Sequence, residues 1–214
     1  MDGHRLLLRL KLLLLTTVIL MLAGCGRGGQ GVLLEDRFGG TDGVWGNESQ
    51  DAFDRGYQNG EYFIEVYEPN WFVWARPDER FSDVDVQVDA RWVSGSPRAH
   101  FGVICRYRSP DDFYYFAVSA DGYYAIMKFE DGASEVLTGA GFLRAPVIYT
   151  GTTLNIVRAL CYEDQLTLYV NGERVASVMD DTFRRGDVGL AVGTGDEGAA
   201  RVHFDNLVVT GPDY

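Results

Sequence analysis

The run VDVQVDARWV, residues 84–93, alternates strictly between apolar and polar side chains, and this alternation limits what the chain can become. Side chains two residues apart share a face only when the backbone is extended. Val84, Val86, Val88, Ala90 and Trp92 therefore line one face of a strand, and Asp85, Gln87, Asp89 and Arg91 the other. The pattern recurs in QLTLYVNGERVASV (165–178), where Leu166, Leu168 and Val170 alternate and Val175 and Val178 return. Asn171-Gly172 between them is a tight-hairpin signal, because both residues accept positive φ. DFYYFAVSADGYYAIMKFEDG (112–132) reads as two strands joined at Ala120-Asp121-Gly122, with Asp131-Gly132 turning the next corner. GDVGLAVGT and ARVHFDNLVVT supply the last strands. Pro69, Pro77, Pro97, Pro110 and Pro146 all fall between these runs, as ladder strands require. DTFRRGD (181–187) is expected to form one helical turn, and no longer helical stripe is legible past the leader. About a dozen strands separated by turns predict an all-β chain folded as an antiparallel two-sheet sandwich.

Residues 1–24 stand apart from this pattern. A basic start (His4, Arg5, Arg9, Lys11) precedes an apolar run from Leu12 to Leu22, and small residues Ala23 and Gly24 then precede Cys25. This is the layout of a secretory signal, and the apolar run falls short of the ~20 residues a spanning helix needs. Leu22-Ala23-Gly24-Cys25 resembles the bacterial lipobox. The resemblance implies a lipoprotein: a signal peptide over 1–24, cleavage before a diacylated Cys25, and an extracytoplasmic protein anchored to a membrane by lipid. The alternative is an ordinary cleaved signal with an incidental cysteine. Residues 25–32, with GRGGQG at 26–31, then form a flexible tether to a domain spanning 33–214.

The chain carries 19 basic and 31 acidic residues, and the leader removes three basic residues but only Asp2 from that count. So acidic a domain argues against nucleic-acid partners and against electrostatic adsorption to anionic lipid. A 46% hydrophobic and 13% aromatic composition excludes a disordered chain. Past the leader, Cys105 shares its alternation phase with Phe101 and Val103, and Cys161 with Val157 and Ala159. Both should point inward. Export permits a disulfide between them if their strands face or neighbour each other, and the alternative is two buried free thiols.

FGVICRYRSPDDFYYFAVSADGYYAIMKF, then LTLYVNG, GDVGL and VHFDNLVV, together resemble the concanavalin A-like lectin/glucanase superfamily, and within it the laminin-G-like and DUF1080 (3-keto-disaccharide hydrolase, family-16-like) branch. The resemblance covers about residues 33–210. It implies a jelly roll of two antiparallel sheets whose concave face carries the ligand site. No cofactor is required. A structural calcium is implied by the place of Asp205 in HFDNL, with carbonyls near Asp36–Phe38 and Gly60 as further donors. The competing role for Asp205 is a hydrogen bond to a neighbouring loop.

The chemistry of a hydrolase is hard to assemble. Family-16 glucanases place a Glu-x-Asp-x-x-Glu run on one strand, because retaining hydrolysis needs two carboxyls only about 5 Å apart. That run is absent: Asp83, Asp85 and Asp89 share a strand without a glutamate, and Glu61 and Glu65 share a phase at the wrong spacing. His100 and His203 belong to no legible triad, and no zinc spacing occurs. Aromatic residues are dense, however, in YEPNWFVWARP, FYYF and GYYAIMKF. Sugar rings stack on aromatic planes and are fixed by a few polar groups. We take Trp71, Trp74, Tyr114 and Tyr124 as candidate platforms, and Arg91, His100, Arg106 and Arg108 as candidate polar contacts.

Three functions fit the sequence. The first is a lipid-anchored, non-catalytic module binding glycan or another extracytoplasmic polymer. The second is a glycoside or 3-keto-disaccharide hydrolase, and the third an envelope protein-interaction domain. Trp71 and Trp74 exposed beside a groove would favour the first. Carboxylates or a histidine buried together in that groove would favour the second, and a flat face the third.

Overall fold

The computed structural model describes residues 31–212. The leader and the lipidation expected at Cys25 lie outside these residues. In chain order the strands are β1 (Val32–Asp36), β2 (Glu48–Gln50), β3 (Phe53–Gln58), β4 (Glu61–Val66), β5 (Phe72–Ala75) and β6 (Arg80–Phe81). There follow β7 (Val84–Gly95), β8 (His100–Ser109), β9 (Asp112–Ser119), β10 (Tyr123–Glu130), β11 (Ala133–Val136) and β12 (Leu143–Arg144). The last are β13 (Asn155–Tyr162), β14 (Gln165–Val170), β15 (Glu173–Met179), β16 (Gly186–Gly193) and β17 (Ala200–Thr210). The described residues contain no helix, and the segment from Asp181 to Arg185 is irregular rather than a helical turn. Its backbone is instead tied to neighbours: Phe183 N–H donates to the Tyr114 hydroxyl, and Phe183 C=O accepts from Arg106.

The strands form two antiparallel sheets. The back sheet runs β15-β14-β13-β7-β17-β4-β3-β2, with β1 also on β17; the front sheet runs β11-β10-β9-β8-β16-β5, with β12 on β10 and β6 on β16. Hairpins arise where the turn residues demand them. Asn171 and Gly172 have φ of 52° and 85°, the left-handed pair that a two-residue turn needs to match strand twist.

The alternation does what it predicts. Val86, Ile64 and Leu168 of the back sheet and Val103, Phe116 and Leu190 of the front sheet meet in one core, each fully buried. Burying such a side chain stabilises by about 1.5–3 kcal/mol. Cys105 on β8 and Cys161 on β13 are disulfide-bonded with Cα atoms 6.9 Å apart, so the bridge staples one sheet to the other.

One irregularity controls the site. Tyr107 pairs with Asp187 and Ile104 with Gly189, so Cys105 and Arg106 together oppose Val188. This is a β-bulge, with Arg106 at φ 53°, and it reverses the phase of β8 beyond it. Strict alternation would send Tyr107 inward and Arg106 outward. The bulge instead leaves Arg106 on the inner side, 1% exposed, and turns Tyr107 to the outer face.

Candidate functional site

The outer faces of the two sheets differ. On the back sheet the outward phase is charged. Arg91 donates to both carboxylate oxygens of Glu61 at 2.9 Å, Arg158 clamps Asp85, and Arg201 pairs with Glu65 while stacking on Phe63. His203 lies between Glu61 and Arg201. Glu61 Oε2 is 2.6 Å from Nδ1, and Arg201 Nε donates to Nε2 at 3.0 Å, so the ring proton sits on Nδ1. Burial lowers the imidazole pKa, and the facing Glu61 only partly offsets this.

The front sheet carries aromatic residues outward as well as inward. Ile104, Tyr107, Phe113 and Tyr115 form a second buried cluster, against which Phe72, Trp74, Met127, Phe129 and Phe142 pack. Phe113 and Phe129 stack with centroids 4.4 Å apart, and Phe72 lies parallel to Phe113 at 5.7 Å. His100 sits in this layer, its Nδ1 3.2 Å from the Tyr115 hydroxyl and its ring 5.4 Å from Phe142. It has no carboxylate partner among the described residues, and burial pushes its pKa down to about 4. Gly193 opposite makes room for the ring: a Cβ there would lie 2.0 Å from His100 Cε1.

At one margin the aromatic layer opens into a cleft of about 570 Å³. It lies between β5 and β2, the terminal strands of the two sheets. Trp71, Phe72 and Trp74 form one wall, and Val44–Gly46 with Glu48 form the other. Tyr107, Arg55, Arg76 and Asp78 complete it. Trp71 is 42% exposed and is held by its N–H donating to Thr194 Oγ1, whose hydroxyl in turn donates to Glu68 C=O. Trp45 is anchored behind the opposite wall, its indole N–H on Asp36 and its backbone N–H on the Tyr57 hydroxyl. Arg55 bonds Glu48 and also reaches across to Trp74 C=O, satisfying a carbonyl on the free edge of β5. Arg76 pairs with Asp78 and the buried Asp187, its guanidinium 4.8 Å over the Tyr107 ring. Burial raises the Tyr107 hydroxyl pKa, with Arg76 opposing that shift. Flat aromatic faces beside forked donors and carboxylate acceptors suit a polyhydroxylated ligand. Each cleft carboxylate is already engaged by an arginine, and no histidine is among the residues lining the cleft.

Solved structures similar to this one include three that cover most of it. One is the carbohydrate-binding module CBM66 from Bacillus subtilis (19% identity, 77% of this chain and 90% of that one, TM-score 0.54). Another is the catalytic domain of an endo-1,3-β-glucanase (laminarinase) from Thermotoga petrophila (11%, 87% and 99%, TM-score 0.61). A third is a protein of unknown function with a galectin-like fold from Bacillus subtilis (10%, 85% and 97%, TM-score 0.63). The chain folds as an antiparallel two-sheet jelly-roll sandwich. At these identities the likeness is one of fold alone. No protein-family model matches the chain, and no curated protein matches it.

Of the side chains singled out in the sequence, the jelly roll brings Trp71 and Trp74 together on one wall. It scatters the others. Tyr114 is an inward residue of β9, fully buried, with its hydroxyl bonded to Asp180. Tyr124 is half-buried against the main core. Arg106 is enclosed by the bulge, bonding Ser82 C=O, Phe183 C=O and Asp83. Arg91 belongs to the back sheet and is spent on Glu61. His100 packs, partly exposed, into the aromatic layer, and Arg108 lies over Phe183 at a different pocket. Asp205 accepts from the N–H and side-chain amide of Asn206, its chain neighbour on β17. Among the described residues no group of three or more His, Cys, Asp or Glu side chains forms a metal set.

The cleft also contains residues that sequence reasoning missed. Tyr107 was hidden by the bulge. Arg55 and Arg76 carried a weak signal at most, since both sit at strand ends or in half-polar strands where an arginine is ordinary. Glu48 and Asp78 gave none.

Proposed function

We propose that this protein is an exported, lipid-anchored, non-catalytic module that binds a glycan in the cleft between β5 and β2. One observation carries the reading: Trp71 and Trp74 line a single cleft together with Tyr107, Arg55, Arg76 and Glu48. Trp71 offers an exposed plane for the C–H face of a sugar ring, and the arginines and Glu48 offer donors and acceptors for hydroxyls. The carbohydrate-binding module among the similar structures supports the reading as analogy of fold. The leader and Cys25 support the reading of export and of a lipid anchor on the extracytoplasmic side of a membrane.

Isothermal titration or a glycan array with the chain from residue 26 tests the reading. Trp71→Ala is expected to weaken binding about tenfold or more without shifting the thermal midpoint, because the ring is already partly in solvent. Release of reducing sugar, or binding unaltered by Trp71→Ala, would count against it. Globomycin-sensitive processing, or loss of membrane association in Cys25→Ser, tests the anchor.

A further inference from the structure

A second pocket, of about 670 Å³, is lined by Arg80, Arg108, Arg184 and Arg185 together with Asp112, Thr182 and Gly186. Four arginines around one hollow are unexpected on a chain with net charge −12. The acidic groups nearby do not neutralise them. Asp112 is occupied by Ser109 Oγ and the Asp131 N–H. Arg184 reaches Asp181 at 3.4 Å and Arg80 reaches the buried Asp187 at 3.6 Å, both long contacts made by exposed guanidinium groups. Neither Arg108 nor Arg185 forms a salt bridge among the described residues, although Arg108 adds to the Asp131 N–H and the Ser109 hydroxyl in lowering the Asp112 carboxyl pKa, so one carboxylate faces four guanidinium groups. Like charges gathered in excess of their counter-charges are unfavourable unless something anionic arrives.

The pocket is also built from beneath. The Arg108 guanidinium is propped 5.5 Å over the Phe183 ring. Phe183 is buried, with its N–H on Tyr114 and its C=O on Arg106, and Asp180 at the start of the same segment is held by Tyr114, Thr182 and Lys128. The backbone carrying Arg184 and Arg185 is thus tied down without any ligand. Such preorganisation lowers the ordering cost of binding.

Asp187 places this pocket relative to the cleft. Its buried carboxylate touches Arg76 of the cleft wall and Arg80 of the basic pocket, so the two lie on either side of one residue. We infer that the arginine pocket binds the carboxylate or sulfate substituents of an acidic polysaccharide whose chain also occupies the cleft. Planar arginine forks match such oxyanions bidentately. The polymer part of the assignment rests on the glycan reading of the cleft; the charge preference does not.

The full chain in non-ionic detergent is titrated with polygalacturonate and with its fully methyl-esterified, neutral form. Polygalacturonate is expected to bind about tenfold or more tightly at low salt, with the advantage fading as salt rises. Arg108→Gln with Arg185→Gln, both exposed, should remove that advantage and leave binding of the neutral form unchanged. Trp71→Ala should weaken both polymers alike. A charge-blind protein, or an unaltered double variant, overturns the inference while leaving the cleft reading intact. A charge preference that survives alongside an ineffective Trp71→Ala sinks the cleft reading instead. Displacement of polygalacturonate by equal concentrations of inorganic phosphate or glycerophosphate also overturns it, in favour of a small oxyanion or a lipid headgroup.

Discussion

The two outer faces of the sandwich are built on similar ladders and solve opposite problems. On the back sheet, VDVQVDARWV alternates cleanly, and its outward Asp85 and Arg91 are absorbed into ion pairs across strands. The half-exposed Arg91–Glu61 pair adds little net stability, whereas Asp85 is buried under Arg158. On the front sheet, β8 and β9 are apolar in both phases, and the outward residues make a dry aromatic layer that ends in the cleft. A strand apolar on one side needs one partner layer, whereas a strand apolar on both must find a second. Here the second layer is made by the rings themselves, with Phe142 and His100 laid over them. The difference teaches that departure from alternation, rather than alternation, marks the side on which the aromatic layer and its cleft form.

The disulfide is the reference against which the two faces are compared, because it joins both sheets. Closing a loop with a sequence separation of 56 stabilises by about 4 kcal/mol in the loop-entropy model. Cys105→Ser with Cys161→Ser should lower the denaturant midpoint by that order, and hydrogen exchange should rise on both sheets together. Next in size is Phe113→Ala on the front face. It removes a ring that is 1% exposed and stacked on Phe129, at a cost of about 3 kcal/mol. If chemical denaturation gives less than about 1 kcal/mol, the aromatic layer is not a true second core.

Acid should also separate the faces. The folded pKa of His100 is depressed from its ordinary 6.5 to about 4, so the folded protein binds fewer protons than the unfolded chain between those values. Stability is then fully present above pH 6.5 and is lost as pH falls toward 4, by on the order of 2 kcal/mol at pH 5. His203 on the back face shifts in the same direction, but Glu61 opposes the shift. NMR titration should show the His203 imidazole charging at higher pH than that of His100, and His100→Phe should flatten more of the acid limb than His203→Phe. The smallest effect is expected at Arg91→Ala, where a half-exposed pair with Glu61 is worth under about 1 kcal/mol. A larger loss in thermal or denaturant unfolding would mean that the back face is structural in its own right.

Much of this arrangement was legible in the chain. The phase of Cys105 and Cys161 predicted two inward sulfurs, although only the juxtaposition of β8 with β13 shows that they meet. Asn171-Gly172 and Asp131-Gly132 turn where their tolerance of positive φ says they should. The candidate site was legible only as far as Trp71 and Trp74. Arg91 lies away from the cleft: sequence phase says in or out and not which sheet. Arg106 and Tyr107 exchanged sides at a bulge that leaves no unambiguous residue signal. Tyr114 and Tyr115 could not be told apart, because both phases of β9 are apolar.

Periodicity of two and turn residues by themselves determined an antiparallel sandwich, and composition its acidic net charge. These are local properties, set by where successive side chains point and by net charge. Which arginines stand together against that net charge, which tryptophans share a wall, and which histidine joins the aromatic layer were decided only when β5 came to lie beside β2 and the Phe183 segment was tied over β8 and β9. Those neighbours are far apart in the chain, so their meeting depends on packing across the whole core and not on any local pattern.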